Sequence, residues 1–144
     1  MTVHISKAEL DRLHAHAAQG YPHEVVGILA GDPATGQVLR VVPLINERAD
    51  SPKNRYQVSG LVLMRAEQRL EAEGLGVVGY YHSHPDHPAL YSDFDRDHAL
   101  PNLSYVIVSV QGGTPVDTLS WRLTDDRAAM DAEPLHLVQP PTEE

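Results

Sequence analysis

Two stretches of the chain carry apolar residues at helical spacing. The first follows Ser6 and ends near Gly20, and the second follows Ser59 and ends at Gly74. Serine is a favoured N-cap and glycine often follows the last helical residue, so both stretches are bounded by residues typical of helix ends. Ser6 and Glu9 also have the spacing of a capping box. The inward positions recur every three or four residues, and they are Leu10, Leu13 and Ala17 in the first helix and Leu63, Ala66 and Leu70 in the second.

Apolar runs bounded by turn residues predict the strands. They cover residues 25–30, 37–44, 76–84, 103–110 and 118–123, with a short strand at 56–58 and a candidate edge strand at 135–138. The turn residues at 31–36 predict a hairpin between the first two strands. The polar stretch 45–55 reads as a loop. Helices interleaved with strands and a hairpin predict an α/β sandwich with a mixed sheet.

A group of polar residues follows the buried run 76–84 in the pattern H-x-H, seven residues, S-x-x-D. The first pair is His82 and His84, and the second is Ser92 and Asp95. Side chains two apart on a strand share a face, so the two imidazoles point the same way. Ser92 has the position of an N-cap of a short helix reaching about residue 98, and residues three apart on a helix also share a face.

Two imidazoles and a carboxylate that converge from a strand end and a helix start fit a three-ligand zinc site. Catalytic zinc sites keep a fourth position for water, and two histidines with one carboxylate is an accepted set. Asp93 and Asp97 compete with Asp95 for the ligand position, but both lie off the face that Ser92 and Asp95 share. The simpler alternative is a strand with polar side chains at its end, followed by a capped helix.

These residues resemble a known signature. The run of His82, Ser83, His84 and Pro85, the seven-residue spacer, and Ser92 with Asp95 are similar to the motif of the JAMM/MPN metalloproteases. The resemblance covers most of the chain. It implies a curved, mixed β-sheet flanked by helices, a cytidine-deaminase-like JAMM/MPN sandwich with one zinc ion per chain at a sheet edge.

The resemblance also implies roles for two further residues. The family places a glutamate upstream of the motif, near its first strand, and Glu24 occupies the matching position ahead of the run 25–30. Glu24 would be the general base, and Ser92 would stabilise the oxyanion. From the residues alone, a solvated loop carboxylate is an equal alternative for Glu24.

Composition narrows the chemistry. The chain of 144 residues has no cysteine, which excludes disulfides, thiolate nucleophiles and thiolate zinc ligands. The formal net charge of −9 argues against nucleic acid as a partner, because nucleic-acid binding depends on Lys and Arg. No signal peptide or membrane-spanning run is apparent. We therefore expect a single cytoplasmic catalytic domain over residues 1–144, with no membrane partner and a tail that frays from about residue 139.

The resemblance implies hydrolysis of a peptide or isopeptide bond after the C-terminal glycines of a ubiquitin-like or sulfur-carrier protein. One alternative is a non-catalytic MPN-like scaffold that binds a protein partner. Another is a purely structural metal site, which needs four protein ligands and would require His87 as the fourth. The sequence leaves open whether the chain forms a homodimer and whether zinc is the physiological metal.

Overall fold

A computed structural model describes residues 1–46 and 59–139, which contain three helices and eight strands. In chain order these are β1 (Val3–Ser6), α1 (Lys7–Gly20), β2 (Val26–Asp32), β3 (Gln37–Leu44), α2 (Gly60–Ala72), β4 (Gly76–Pro85), α3 (Asp93–His98), β5 (Ser104–Gln111), β6 (Thr114–Leu123), β7 (Met130–Glu133) and β8 (Leu135–Val138). The strand predicted at 56–58, most of the predicted loop 45–55 and the end of the tail lie outside the described residues.

The eight described strands form one sheet in the order β7-β6-β5-β4-β2-β3-β1-β8. Neighbours are antiparallel except for three parallel pairs, which are β4 with β5, β1 with β3, and β1 with β8. β7 and β8 lie at opposite ends of this order, yet only Pro134 separates them in sequence. The sheet must therefore curl until its two ends approach each other. The mixed α/β fold with a curved sheet, predicted from the sequence, is confirmed.

The helices cover opposite faces of the sheet. α1 buries Leu13 and Ala17 in the larger core cluster, whereas α2 packs Ala66 and Leu70 in a separate cluster. Tyr81 of β4 is completely buried on the α1 face, where its hydroxyl bonds His16 Nδ1 at 2.7 Å. Among the described residues, no helix is long and apolar enough to cross a membrane.

Most of the predicted helix chemistry is present. The three predicted cap residues each accept the backbone N–H three residues on, as Ser6 does from Glu9, Ser59 from Val62 and Ser92 from Asp95. The predicted capping box at α1 is half formed, because the Glu9 carboxylate bonds Arg12 at 3.3 Å. The reciprocal box is found at α3.

The strands differ from the prediction at three places. Two strands were not predicted, namely β1, which is only four residues long, and β7, which lies in an acidic stretch. β6 begins at Thr114 rather than 118, because Gly112 and Gly113 both have positive φ and form a two-residue hairpin turn. The candidate edge strand β8 is present and pairs in parallel with β1.

The parallel pairing of β4 with β5 depends on a close backbone approach at Gly79. A Cβ at this position would lie 1.7 Å from the carbonyl oxygen of Ser104. We expect Gly79→Ala to lower the free energy of unfolding by about 2 kcal/mol or more, because backbone cannot yield as a flexible side chain can. Urea unfolding followed by circular dichroism measures the change.

Gly60 provides the matched control for this substitution. It lies in the first turn of α2 with open space around its missing Cβ. Gly60→Ala should leave the free energy of unfolding unchanged or raise it by up to about 1 kcal/mol. Equal stability of the two variants would contradict the close-approach account.

Candidate metal centre

The site begins at the carboxyl end of β4. His82 and His84 project from the same face of the strand, and their Nε2 atoms are 3.2 Å apart. His82 is 1% exposed, while His84 is half-buried. β4 lies between β2 and β5 in the middle of the sheet, and the site lies at the sheet edge formed by the carboxyl ends of the strands. The cluster sits at the end of a central strand, where neighbours on both sides fix the backbone.

α3 brings the carboxylate to this pair. Asp95 Oδ1 lies 3.0 Å from His82 Nε2, and Asp95 Oδ2 lies 3.2 Å from His84 Nε2. The same side chain closes the capping box, because Oδ2 also accepts the N–H of Ser92 at 2.8 Å. The helix start therefore fixes the carboxylate as well as the chain direction. Asp95 is 6% exposed.

The electrostatics of the cluster favour a cation between the three side chains. Burial alone raises the pKa of Asp95, but hydrogen bonds from His82 and His84 outweigh it and hold the pKa of that carboxyl well below its usual range. Burial lowers the pKa of His84, but its bonds to Asp95 and the Pro88 carbonyl, with the charges of Asp95 and Glu24, raise it overall.

The donor set fits a divalent metal ion. His84 Nδ1 lies 2.9 Å from the Pro88 carbonyl oxygen, which can only accept, so Nδ1 carries the proton. Metal ligation requires neutral His84, in which Nδ1 keeps this proton and Nε2 presents its lone pair toward His82 and Asp95. One ligand atom from each residue lies within 4.8 Å of the others. Two imidazole nitrogens and a carboxylate oxygen are ligands typical of zinc and related ions.

Glu24 approaches the cluster from the segment just before β2. The antiparallel register of β2 and β4 pairs Val26 with His82, so continuing it sets Glu24 opposite His84 on the same face. Glu24 is 6% exposed, which rejects the alternative of a solvated loop carboxylate. It lines a cleft of about 380 Å³ together with His84 and Ser92.

Ser92 lies at the mouth of the cleft. Its Oγ accepts the Asp95 N–H at 3.1 Å, which is the N-cap bond of α3. The same hydroxyl still has a proton to donate, because accepting the cap bond uses only a lone pair. Ser92 is exposed, so that proton can reach a molecule bound in the cleft.

The competing carboxylates and histidines are placed elsewhere. Asp93 and Asp97 are exposed and pair with Arg96. Within the described residues the metal-type cluster holds three side chains, and His87 is not among them. The structural-site alternative therefore lacks its fourth ligand in this part of the chain. His14 and His16 lie on α1 and bond Thr118 and Tyr81 instead.

Two side chains without a predicted role, Ser109 and Trp121, join His84 in shaping the wall of the cleft. Three consecutive backbone carbonyls each accept a side-chain hydrogen bond, namely His87 from Ser109 at 2.5 Å, Pro88 from His84 at 2.9 Å and Ala89 from Trp121 at 2.9 Å. The donors come from β5, β4 and β6. Only the sheet order reveals this convergence, and the sequence carries no signal for it.

Comparison with known proteins supports this reading of the fold. A family model described as prokaryotic homologs of the JAB domain matches residues 6–124. A probable TtuB-protein conjugate cleaving protease of Thermus thermophilus is 37% identical over 112 residues, covering 78% of this chain and 73% of that protein. A desampylase of Haloferax volcanii is 34% identical over 107 residues, covering 71% and 76%.

A solved structure shares the whole architecture. The solution structure of DSY2949 from Desulfitobacterium hafniense superimposes with a TM-score of 0.82 at 29% identity, covering 97% of this chain and 94% of that one. The chain belongs to the prokaryotic homologs of the JAB domain, within the JAMM/MPN family. It is a peptidase of the JAMM type.

The cluster predicts which substitutions remove bound metal. Asp95→Ala and His82→Ala each delete a donor, so we expect metal bound by the purified protein to fall from about one ion per chain to near zero. Asp97→Ala is the matched control, because this exposed carboxylate on the same helix contacts Arg96 instead. Elemental analysis after dialysis measures the content. Equal metal in Asp95→Ala and Asp97→Ala would contradict the assignment.

Proposed function

We propose that this chain is a zinc-dependent metallopeptidase that cleaves the bond after the C-terminal glycines of a ubiquitin-like or sulfur-carrier protein. The observation that carries the proposal is the convergence of His82, His84 and Asp95 at the end of β4, with Glu24 buried beside them. The bond cleaved would be a peptide or an isopeptide bond. The proposed metal content is one zinc ion per chain.

His82, His84 and Asp95 would hold the zinc. Bound there, zinc would supply a Lewis acid and lower the pKa of a water molecule toward neutrality. His84 Nδ1–H would donate to the Pro88 carbonyl oxygen, 2.9 Å from Nδ1. This bond would fix the ring orientation while Nε2 serves as ligand. The Ser92 N–H similarly holds Asp95 Oδ2 at 2.8 Å.

Glu24 would act as general base and then as general acid. Its carboxylate would take a proton from the attacking water and return it to the nitrogen of the departing amine. Burial at the cleft wall keeps bulk water away from this carboxylate, and the register with β4 puts it on the face of the two histidines. No other glutamate lines the described part of the cleft.

Ser92 would donate its hydroxyl proton to the oxyanion that develops on the scissile carbonyl. The cap bond from the Asp95 N–H at 3.1 Å fixes the position of Oγ before substrate arrives. A donor that needs no rearrangement stabilises the transition state more than the ground state. This role and the capping role are compatible, because they use different parts of the hydroxyl.

The substrate class rests on the relatives and on the cleft. The Thermus relative is named for cleaving TtuB conjugates, and the Haloferax relative is a desampylase. The cleft of about 380 Å³ is bordered by Pro88, Leu90 and Tyr91. A slender tail ending in two glycines would fit such a space more readily than bulky side chains. Both edges of β4 are occupied by neighbouring strands, so the tail would lie across the cleft wall rather than pair with β4.

Glu24→Gln tests the base. The substitution keeps size and polarity but removes the proton acceptor, so we expect zinc content to stay at the wild-type value and kcat to fall by at least about 10²-fold. The assay follows cleavage of a carrier protein fused or isopeptide-linked through its Gly-Gly tail, with elemental analysis of the same samples.

Several outcomes would contradict the proposal. If Glu24→Gln kept the wild-type kcat, Glu24 would not be the general base. Zinc-loaded wild-type protein that cleaves no carrier conjugate would contradict the substrate class. Wild-type protein that neither binds zinc nor cleaves any carrier conjugate would favour the scaffold alternative.

Ser92→Ala tests the oxyanion donor. We expect kcat to fall by about 10²–10³-fold with retained zinc, because one preorganised donor is lost. The cap is lost too, at a stability cost of about 1 kcal/mol. Ser92→Thr keeps both the cap and the hydroxyl, so its kcat should remain within about tenfold of wild type. Equal kcat for Ser92→Ala and wild type would show that the serine only caps α3.

A further inference from the structure

One peptide group beside the candidate base is held at both of its polar ends by side chains. Its carbonyl belongs to Glu24 and accepts from Asn46 Nδ2 at 2.9 Å. Its N–H belongs to Val25 and donates to Ser83 Oγ, also at 2.9 Å. The two side chains come from different segments, Ser83 from β4 and Asn46 from just after β3.

The bond to Ser83 replaces a regular rung of the sheet. Ser83 N–H donates to the Val25 carbonyl at 3.1 Å, as expected for a hydrogen-bonded antiparallel pair. A regular pair would return the Val25 N–H to the Ser83 carbonyl, but here the N–H reaches the Ser83 hydroxyl. The peptide group is thereby turned out of the usual ladder geometry at Val25, the residue directly after Glu24.

We infer that Ser83 and Asn46 are positioning residues that fix the peptide group between Glu24 and Val25 and so aim the Glu24 carboxylate at the metal cluster. The orientation of that peptide plane sets the ψ angle of Glu24, and hence the direction of its Cα–Cβ bond relative to β4. This inference rests on the proposed role of Glu24. Neither side chain is required to touch substrate or metal.

The placement of Ser83 agrees with a role exerted through the backbone. Ser83 alternates with His82 and His84 along β4, so its side chain is on the opposite face of the strand. It is 1% exposed, and a hydroxyl buried to that extent needs a hydrogen-bond partner. A serine that only completes the hydrogen bonding of the sheet would affect the free energy of unfolding alone. A positioning serine would also affect kcat of the folded protein.

The decisive experiment compares Ser83→Ala with Ser120→Ala in the zinc-loaded protein. Ser120 is also a 1% exposed strand serine, but its hydroxyl bonds Glu133 at 2.8 Å on the β6–β7 side of the sheet. We expect Ser83→Ala to retain zinc and KM within about twofold, while kcat falls by about 10- to 100-fold from a misplaced base. Ser120→Ala should lose stability but keep its kcat.

Hydrogen exchange gives a readout that does not depend on activity. The Val25 amide should exchange faster in Ser83→Ala than in wild type, because its acceptor is gone, and unchanged exchange is expected in Ser120→Ala. Ser83→Thr restores a hydroxyl and should recover kcat. Asn46→Ala removes the other anchor and should also lower kcat with retained zinc, which keeps the test decisive if Ser83→Ala does not fold.

The outcomes separate this inference from the proposed function. Wild-type kcat in folded Ser83→Ala and Asn46→Ala, with Glu24→Gln inactive, would overturn the positioning role and leave the base assignment intact. Equal losses of kcat in Ser83→Ala and Ser120→Ala would also overturn it, because the effect would then follow stability alone. Activity in Glu24→Gln would instead overturn the proposed function.

Discussion

The antiparallel register between β2 and β4 is the constraint on which the site depends. It pairs Val26 with His82, and a shift by one residue would turn the Glu24 side chain to the opposite face of the sheet. The register is protected on the α1 face, where the Tyr81 ring packs over Gly27 so closely that a Cβ there would lie 2.3 Å from it. Core packing on one face thus fixes the chemistry on the other.

Asp95 links the local fold of α3 to the cluster. Its carboxylate accepts the N–H of the N-cap Ser92 and faces both histidines, so the same residue closes the capping box and supplies the third donor of the cluster. A short helix contributes little stability by itself. Here its start is held by the cap, and the capping geometry is also the ligand geometry. The same hydrogen bonds that order the segment between β4 and α3 therefore also place the carboxylate of the site.

The sequence predicted the parts of this arrangement that depend on local spacing. The same-face histidines, the N-cap at Ser92 and the preference for Asp95 over Asp93 and Asp97 follow from strand and helix periods, and the geometry agrees. The position of Glu24 needed a resemblance, because strand pairing across 58 residues between Val25 and Ser83 leaves no local pattern. The order of the strands in the sheet was left open for the same reason.

Long-range pairing also explains the short strands that the sequence did not reveal. β1 and β7 have four residues each, too few for a hydrophobic period to be distinguished from chance. Their strand conformation comes from partners, β1 lying between β3 and β8, and β7 along β6. Because Pro134 joins β7 to β8, both ends of the sheet are anchored by one continuous segment.

The wall of the cleft is an irregular segment that is held by side chains of the sheet beneath it. Residues 87–89 have no regular ladder to satisfy their carbonyls, so side chains of β4, β5 and β6 do so instead. One of those side chains is His84. Its Nδ1 contacts the Pro88 carbonyl of the wall, and its Nε2 faces the cluster. Movement of the wall would rotate that ring and disturb the donor set. In the proposed reaction, substrate contacts at this wall and metal ligation by His84 would be coupled through the Pro88 carbonyl, and a site built in this way gains by being preformed rather than assembled on binding.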